Sequence, residues 1–362
     1  MRRTFVICET LLLAAQAGLS VTVAYAIEPA NKVTPEASST DASRSIKSLT
    51  DAKAMAKKAV EAVGLRKPLQ LNLKALKLYE IHFRQVPSDA ETLVAFSKVL
   101  QNIGECHIEM GHRDSGVRWL KKAFVNANKA VELSPMDGRA IAQRACLQAE
   151  LVNRQRSGSN ESRSFSDYRQ ALATVRALMQ REPDNIAFIL LNSRLVSWAC
   201  ETAVDLEPSQ KIELLQHAVE KLNWAIQHCG GDIRPELERN RLIATNVTLP
   251  VTKGDTSDSL RKMFRIIDSY TGLLESKKPL SARDRILVLT SLAAANNQKG
   301  LILKKRRKYL AAKLDFVAAL AIAGIVLEID PEDRYAKNCR RFAQRQLYLI
   351  RDSGEYLKVS AD

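Results

Sequence analysis

The 362-residue chain has no Gly-rich loop ending in Gly-Lys-Ser/Thr, no Rossmann glycine cluster and no Cys-x-x-Cys pair. The first two absences remove the usual nucleotide-binding signatures. The third, with six widely spaced cysteines, argues against a small disulfide framework. No long run alternates apolar and polar residues with Val, Ile, Thr and Tyr enrichment, so little or no sheet is expected. Aromatic residues make up 6% of the chain, with 14 Gly and 11 Pro. Such scarcity of breakers, with 46% hydrophobic and 26% charged residues, is unlike a disordered chain. What is abundant (Ala, Leu, Lys, Arg and Gln) favours helix.

The N-terminus reads as a secretory signal. Arg2 and Arg3 precede a mostly apolar stretch over residues 11–23, followed by Ala24-Tyr25-Ala26, a small-x-small cleavage pattern. Glu9 and Gln16 make the stretch a poor permanent span. An uncleaved anchor and a cytosolic start are the alternatives. Cleavage after Ala26 predicts a periplasmic or secreted protein with net charge +14, against +15 for the whole chain, and with Cys106, Cys146, Cys200, Cys229 and Cys339 retained. These five read as small buried hydrophobes, with one long-range disulfide as the rival. The positive balance favours acidic partners or anionic surfaces.

The rest of the chain is punctuated. Pro87, Pro135 and Pro183 are spaced by 48 residues, and the same step leads to Gly231 and Pro279, with Pro331 after a step of 52. Asp89, Asp137, Asp184, Asp232 and Asp333 follow most of these marks. Pro stops one helix and Asp caps the next. Ala75, Ala123, Ala171 and Ala319 each stand 12 residues before a Pro mark, and Gly104 and Gly300 stand 31 before theirs. Small residues at fixed places let two helices approach, as stacked helix pairs require.

The expected organisation is a signal over residues 1–26, a flexible segment over 27–49, a helical repeat array over 50–332, and a capping helix with tail over 333–362. Helices are predicted over 52–63, capped by Thr50 or Asp51, and over 69–85, with Gly64 and Pro68 as the break between them. The best unit, residues 90–137, is a helix pair broken at Gly111. Further pairs are predicted over 138–154 and 165–180, 186–204 and 210–228, 235–249 and 259–274, and 282–304 and 309–329. The residues Ser157, Gly158, Ser159 and Asn160 form one expected turn, and 250–258 a longer polar loop.

Ile103-Gly104, Gly111, Ala123, Ala127 or Ala130, and Pro135 resemble a tetratricopeptide (TPR) repeat, as do Ala319, Ala323 and Pro331, and Tyr79 takes the aromatic place before Pro87. The unit departs from the family in length, at 48 residues rather than about 34. The resemblance implies an all-α, right-handed α-solenoid of stacked antiparallel helix pairs. It also implies a concave surface lined by the first helix of each pair, which binds a protein or peptide without catalysis. No cofactor and no small-molecule substrate are implied.

The candidate partner-binding face is Lys98, Gln101, Asn102, Glu105 and Glu109 in one unit, Arg194, Ser197 and Glu201 two repeats on, and Asn297 and Lys304 in the fifth. A basic patch, Lys305, Arg306, Arg307 and Lys308, continues from Lys304. It supports an alternative reading, a basic adaptor for an anionic polymer such as nucleic acid or a charged envelope component. Export disfavours nucleic acid. Cys106, His107, Glu109 and His112 suggest a metal at first sight, but His107 and His112 are five apart and do not share a helix face well. His228 and Cys229 lack an identifiable base and orienting group. Trp119, Trp198 and Trp224 are expected in the core. The sequence leaves the oligomeric state open.

Overall fold

The computed structural model describes residues 39–154, 165–203, 205–248, 256–276 and 280–352. The expected signal, the turn at Ser157–160, Pro279 and the tail beyond 352 lie outside these residues, as does most of the 250–258 loop. Thirteen α-helices account for the secondary structure among the described residues, with no strand. They are α1 Ser39–Glu61, α2 Arg66–Gln85, α3 Ala90–Glu109, α4 Arg113–Leu133, α5 Gly138–Arg154, α6 Ser166–Arg181, α7 Ile186–Thr202, α8 Pro208–His228, α9 Arg234–Thr248, α10 Thr256–Glu275, α11 Ala282–Lys305, α12 Tyr309–Ile329 and α13 Arg334–Asp352. The chain divides into two compact units between Leu147 and Gln148, inside α5.

In the first unit α1 pairs with α2 and α3 with α4, and α3 also packs on α2. The Ala and Gly places are where helices touch. Ala75 and Ala123 are wholly buried, as are Ala127 and Ala130. Gly104 on α3 faces Gly116 on α4, and a Cβ on Gly104 would sit 2.9 Å from the Gly116 carbonyl oxygen. The α3–α4 turn is a Schellman motif. Gly111 has φ +90, its N–H donates to the Ile108 carbonyl, and the His112 N–H donates to the His107 carbonyl. Asp89 caps α3, accepting from the Thr92 N–H at 2.7 Å and from the Thr92 hydroxyl at 2.7 Å.

Two expectations in this unit are corrected. The first helix begins at Ser39, so part of the segment expected to be flexible is helical and Thr50 is interior, its hydroxyl donating to the Ile46 carbonyl at 3.0 Å. The buried stripe of α1 is Ser45, Ser48, Ala52 and Ala59, small residues that give no hydrophobic period. The Ser45 hydroxyl meets His82 Nδ1 at 2.7 Å. Pro68 does not separate helices. It occupies the first turn of α2, where a missing N–H costs nothing.

In the second unit α7 pairs with α8, α9 with α10, and α11 with α12, with α13 packed on α12 and α11. α5 and α6 are joined by a bond from Gln148 Nε2 to Gln170 Oε1 at 2.9 Å. Ala171 and Ala319 are wholly buried here. A large core links Met263, Tyr270, Val288, Phe316 and Ala343. Gly300 lies under the Phe316 ring, as Gly104 lies under Leu120. Asp333 caps α13 through the Ala336 N–H at 2.7 Å, but α7 is capped by Asn185 rather than Asp184. At α8, Pro208 occupies the first turn behind Glu207, whose N–H donates to Gln210 Oε1 at 3.1 Å.

The α11–α12 turn repeats the Schellman motif with one change. Arg307 takes the place of Gly111 and keeps φ +58, the one positive φ of a non-glycine residue among the described residues. Its N–H donates to the Lys304 carbonyl, and the Lys308 N–H donates to the Leu303 carbonyl. A left-handed non-glycine residue costs roughly 1–2 kcal/mol.

Candidate functional site

The predicted face on α3 divides into two kinds of residue. Lys98 is exposed, and Asn102, Glu105 and Glu109 are half-buried. Gln101 is 7% exposed and is committed to packing. Its amide nitrogen donates to Glu105 Oε1 at 3.0 Å, and its amide oxygen accepts from Gln143 Nε2 on α5 at 2.9 Å. Gln143 on α5, which sequence reasoning did not single out, therefore anchors α3.

In the second unit the division is similar. Arg194 and Glu201 are exposed, while Ser197 is wholly buried and donates to Glu201 Oε1 at 2.6 Å. Arg194 lies 5.9 Å from the Trp198 ring. On α9, Arg241 pairs with Glu238 at 2.6 Å. Burial works against the Arg241 charge, but the carboxylates of Glu238 and Glu201 outweigh it and hold the guanidinium above its usual range. Asn297, 5% exposed, donates to the Cys339 carbonyl on α13 at 3.1 Å, and half-buried Lys304 donates to Gln346 at 3.1 Å. Gln101, Ser197 and Asn297 thus sit inside helix packing, and the side chains open to a partner are Lys98, Arg194 and Glu201, flanked by half-buried Asn102, Glu105 and Glu109.

A single rule runs through these bonds. Gln101–Gln143, Asn297–Cys339 and Lys304–Gln346 all join consecutive first helices across 42 residues. For α3 and α5, which start 48 residues apart, the separation is six short of that step, so the two helices are staggered by nearly two turns; for α11 and α13, which start 52 apart, it is ten short. These polar bonds pin α3 against α5 and α11 against α13.

The His107 and His112 rings are 6.1 Å apart, edge to face, and burial followed by the His112 charge lowers the His107 pKa. No group of three or more His, Cys, Asp or Glu among the described residues could hold a metal ion. Cys106, Cys146, Cys200 and Cys339 are buried free thiols, and Cys229 is half-buried and free. The three Trp residues are half-buried rather than central. Trp224 stacks on His228 at 4.4 Å, and Lys122 Nζ lies 4.6 Å from the Trp119 ring. An unforeseen cleft of about 470 Å³ lies at the α8–α9 turn, lined by Cys229, Asp232, Arg234, Glu236 and Asp284 among others. Its ion pair is internal, with Arg234 Nε donating to both Asp232 oxygens at 2.9 and 2.8 Å. The Lys305, Arg306, Arg307 and Lys308 side chains are all exposed on the α11–α12 turn.

No family model and no curated protein matches the chain. Among solved structures, the nuclear import adaptor Nro1, described as a hypoxic regulator of sterol synthesis, aligns with TM-score 0.41 and 11% identity over 80% of this chain and 92% of its own. The human IFIT1 dimer with m7Gppp-AAAA aligns with TM-score 0.41 and 10% identity over 86% and 73%. Nro1 from S. pombe in space group P21 gives 0.28 and 11% over 86% and 95%. At such values neither neighbour's ligand bears on this chain. The helix pairs, their repeated Ala and Gly contacts and the recurrent 42-residue bonds define an all-α helical-repeat protein.

Proposed function

We propose that the chain is an extended TPR-like scaffold that binds a protein or peptide segment on the polar face of its first helices, without catalysis. The observation that carries this reading is the set of 42-residue bonds. They hold α3 on α5 and α11 on α13, while Lys98 on α3 and Arg194 on α7 are exposed, with Glu105 and Glu201 on the same helices. Within each unit, exposed side chains on packed helices bind a partner with little ordering cost. The signal-like residues 1–26 support export, so the partner is sought outside the cytoplasm, and mass spectrometry of the mature N-terminus tests this with a start at Ile27. Charge reversal at Lys98 and Arg194 tests the face: partner capture from an envelope fraction falls while helicity is unchanged. Capture insensitive to both reversals, but lost on changes to the exposed second-helix residues Lys121 and Lys129, overturns it. The alternative of a basic adaptor rests on the exposed turn 305–308 and calls for binding that falls steeply with salt.

A further inference from the structure

The same place in the repeat carries opposite chemistry in the two best helix pairs. On α4 the exposed outer row is Asp114, Arg118, Lys121, Val125 and Lys129. The corresponding row on α12, 196 residues later, is Leu310, Leu314, Val317, Ala321 and Ile325. Leu310 is 66% exposed and Leu314 63%, the most open of the large side chains in the row. The spacing of four, three, four and four keeps the row on one side of the helix, and it runs for about 22 Å at 1.5 Å per residue before Glu328 closes it.

The row is capped by charge at its open end. Lys305, Arg306, Arg307 and Lys308 are all exposed just before Leu310, where the α3–α4 turn carries Glu109, Met110, Gly111 and His112. α13 brings more to the same end. The Lys304 bond to Gln346 sets the C-terminal half of α13 beside this turn, and Arg345, Tyr348 and Leu349 there are exposed. Arg307 holds its left-handed backbone where glycine would hold it at less cost.

α12 is long and apolar enough to cross a membrane. Its inner side, however, buries Ala312, Asp315, Phe316, Ala319, Ala323 and Val326 against the protein, and Asp315 pairs with Lys299 at 2.9 Å. Lipid can therefore meet the outer row with the α11–α12 hairpin intact.

We infer that the α11–α12 turn and the outer row of α12 form a docking surface for an anionic lipid bilayer, with the basic turn on the headgroups and Leu310 and Leu314 inserted at the acyl boundary. The combination of adjacent exposed cations, exposed Leu side chains and an interfacial Tyr is the composition that binds such surfaces. A second copy packed on α12 is the weaker occupant. Antiparallel pairing would offer the four cations a single carboxylate, Glu328, and leave most of them unpaired, and parallel pairing would set like charges together. The surface is independent of the partner-binding face of the first helices.

The test is flotation of the full chain with vesicles of phosphatidylcholine alone or containing phosphatidylglycerol. Binding is expected with the anionic vesicles, falling with salt, and by about fivefold for each cation removed in Lys305→Gln, Arg306→Gln and Lys308→Gln. Leu310→Ser with Leu314→Ser lowers binding at least tenfold with helicity unchanged, whereas Arg118→Gln with Lys121→Gln on α4 leaves it at the wild-type value. In Leu310→Trp, emission shifts to the blue on adding anionic vesicles. Equal binding to neutral vesicles, binding untouched by the Leu changes, or no vesicle binding overturns the inference. So does a dimer in sedimentation that Leu310→Ser dissolves while vesicles do not bind.

Discussion

Replacing Gly116 by Ala ought to destabilise the first unit, although Ala is the better helix former. A Cβ at Gly116 would lie 2.6 Å from the Gly104 carbonyl oxygen and would overlap Ile108 Cγ1. An ordinary carbon–oxygen contact is about 3.3 Å. Ile108 can rotate, but the Gly104 oxygen is backbone, so α3 and α4 must part by several tenths of an ångström. Overpacking of this kind costs roughly 1–3 kcal/mol. The offsetting propensity gain is at most about 1 kcal/mol, and smaller in the first turn of α4. The net loss is about 1–2 kcal/mol. Gly324, inside α12, is the control: nothing lies within 4 Å of its added Cβ. Gly324→Ala therefore stabilises by roughly 0.5–1 kcal/mol. Since a repeat chain need not unfold in one step, the assay is native-state hydrogen exchange, read on α3–α4 amides for Gly116→Ala and on α11–α12 amides for Gly324→Ala. Slower exchange in α3–α4 with Gly116→Ala, or faster exchange in α11–α12 with Gly324→Ala, refutes the packing argument.

Other perturbations follow the same geometry. Arg307→Gly relieves the left-handed backbone and raises the urea midpoint of the second unit by an amount worth about 1 kcal/mol, while weakening anionic-vesicle binding. Lys299→Ala strips the partner from Asp315, whose side chain is 11% exposed, and costs roughly 3 kcal/mol. Burial raises the Asp315 pKa despite Lys299, so protons bind the folded form more tightly. Its effect on stability therefore worsens as pH rises through that raised value, and a pH series of melts shows the Lys299→Ala deficit growing above the ordinary carboxylate range. For Asp89, burial raises the pKa but the Thr92 hydroxyl and N–H bonds outweigh it, and the net shift is downward. The cap is complete above the ordinary carboxylate range and is lost as pH falls through the folded value. Asp89→Ala removes about 1 kcal/mol at neutral pH, whereas Asp89→Asn keeps the cap and flattens its acid dependence.

The repeat was legible because it is written in residues with strong local meaning. Pro marks, acidic caps at Asp89 and Asp333, and small residues at Ala75, Ala123, Ala171, Ala319, Gly104 and Gly300 each constrain backbone or approach distance, whatever their surroundings. The start of α1 was hidden because its buried row is Ser and Ala, with no apolar period to detect. Pro68 misled because Pro breaks a helix interior but suits a first turn. On the candidate face, Gln101, Ser197 and Asn297 read as surface because their types are polar. Their burial depends on the neighbouring helix packed over them, α5 over Gln101 and α13 over Asn297, which no single helix encodes. That packing has a faint signal in retrospect, since Gln143 and Gln346 lie 42 residues after Gln101 and Lys304. The apolar outer row of α12 was equally open to view, but its exposure becomes apparent once α12 is set beside α4 in the same register.

Site-specific photocrosslinking tests the scaffold reading most directly. A photoreactive residue placed in the full chain at Lys98, Asn102 or Arg194, on the first helices, should yield one discrete adduct in an envelope fraction, competed by unlabelled protein. The same residue at Lys121 or Lys129, on a second helix, should yield none. Adducts confined to the second-helix positions, or absent from all five, would contradict the assignment of partner binding to the first helices.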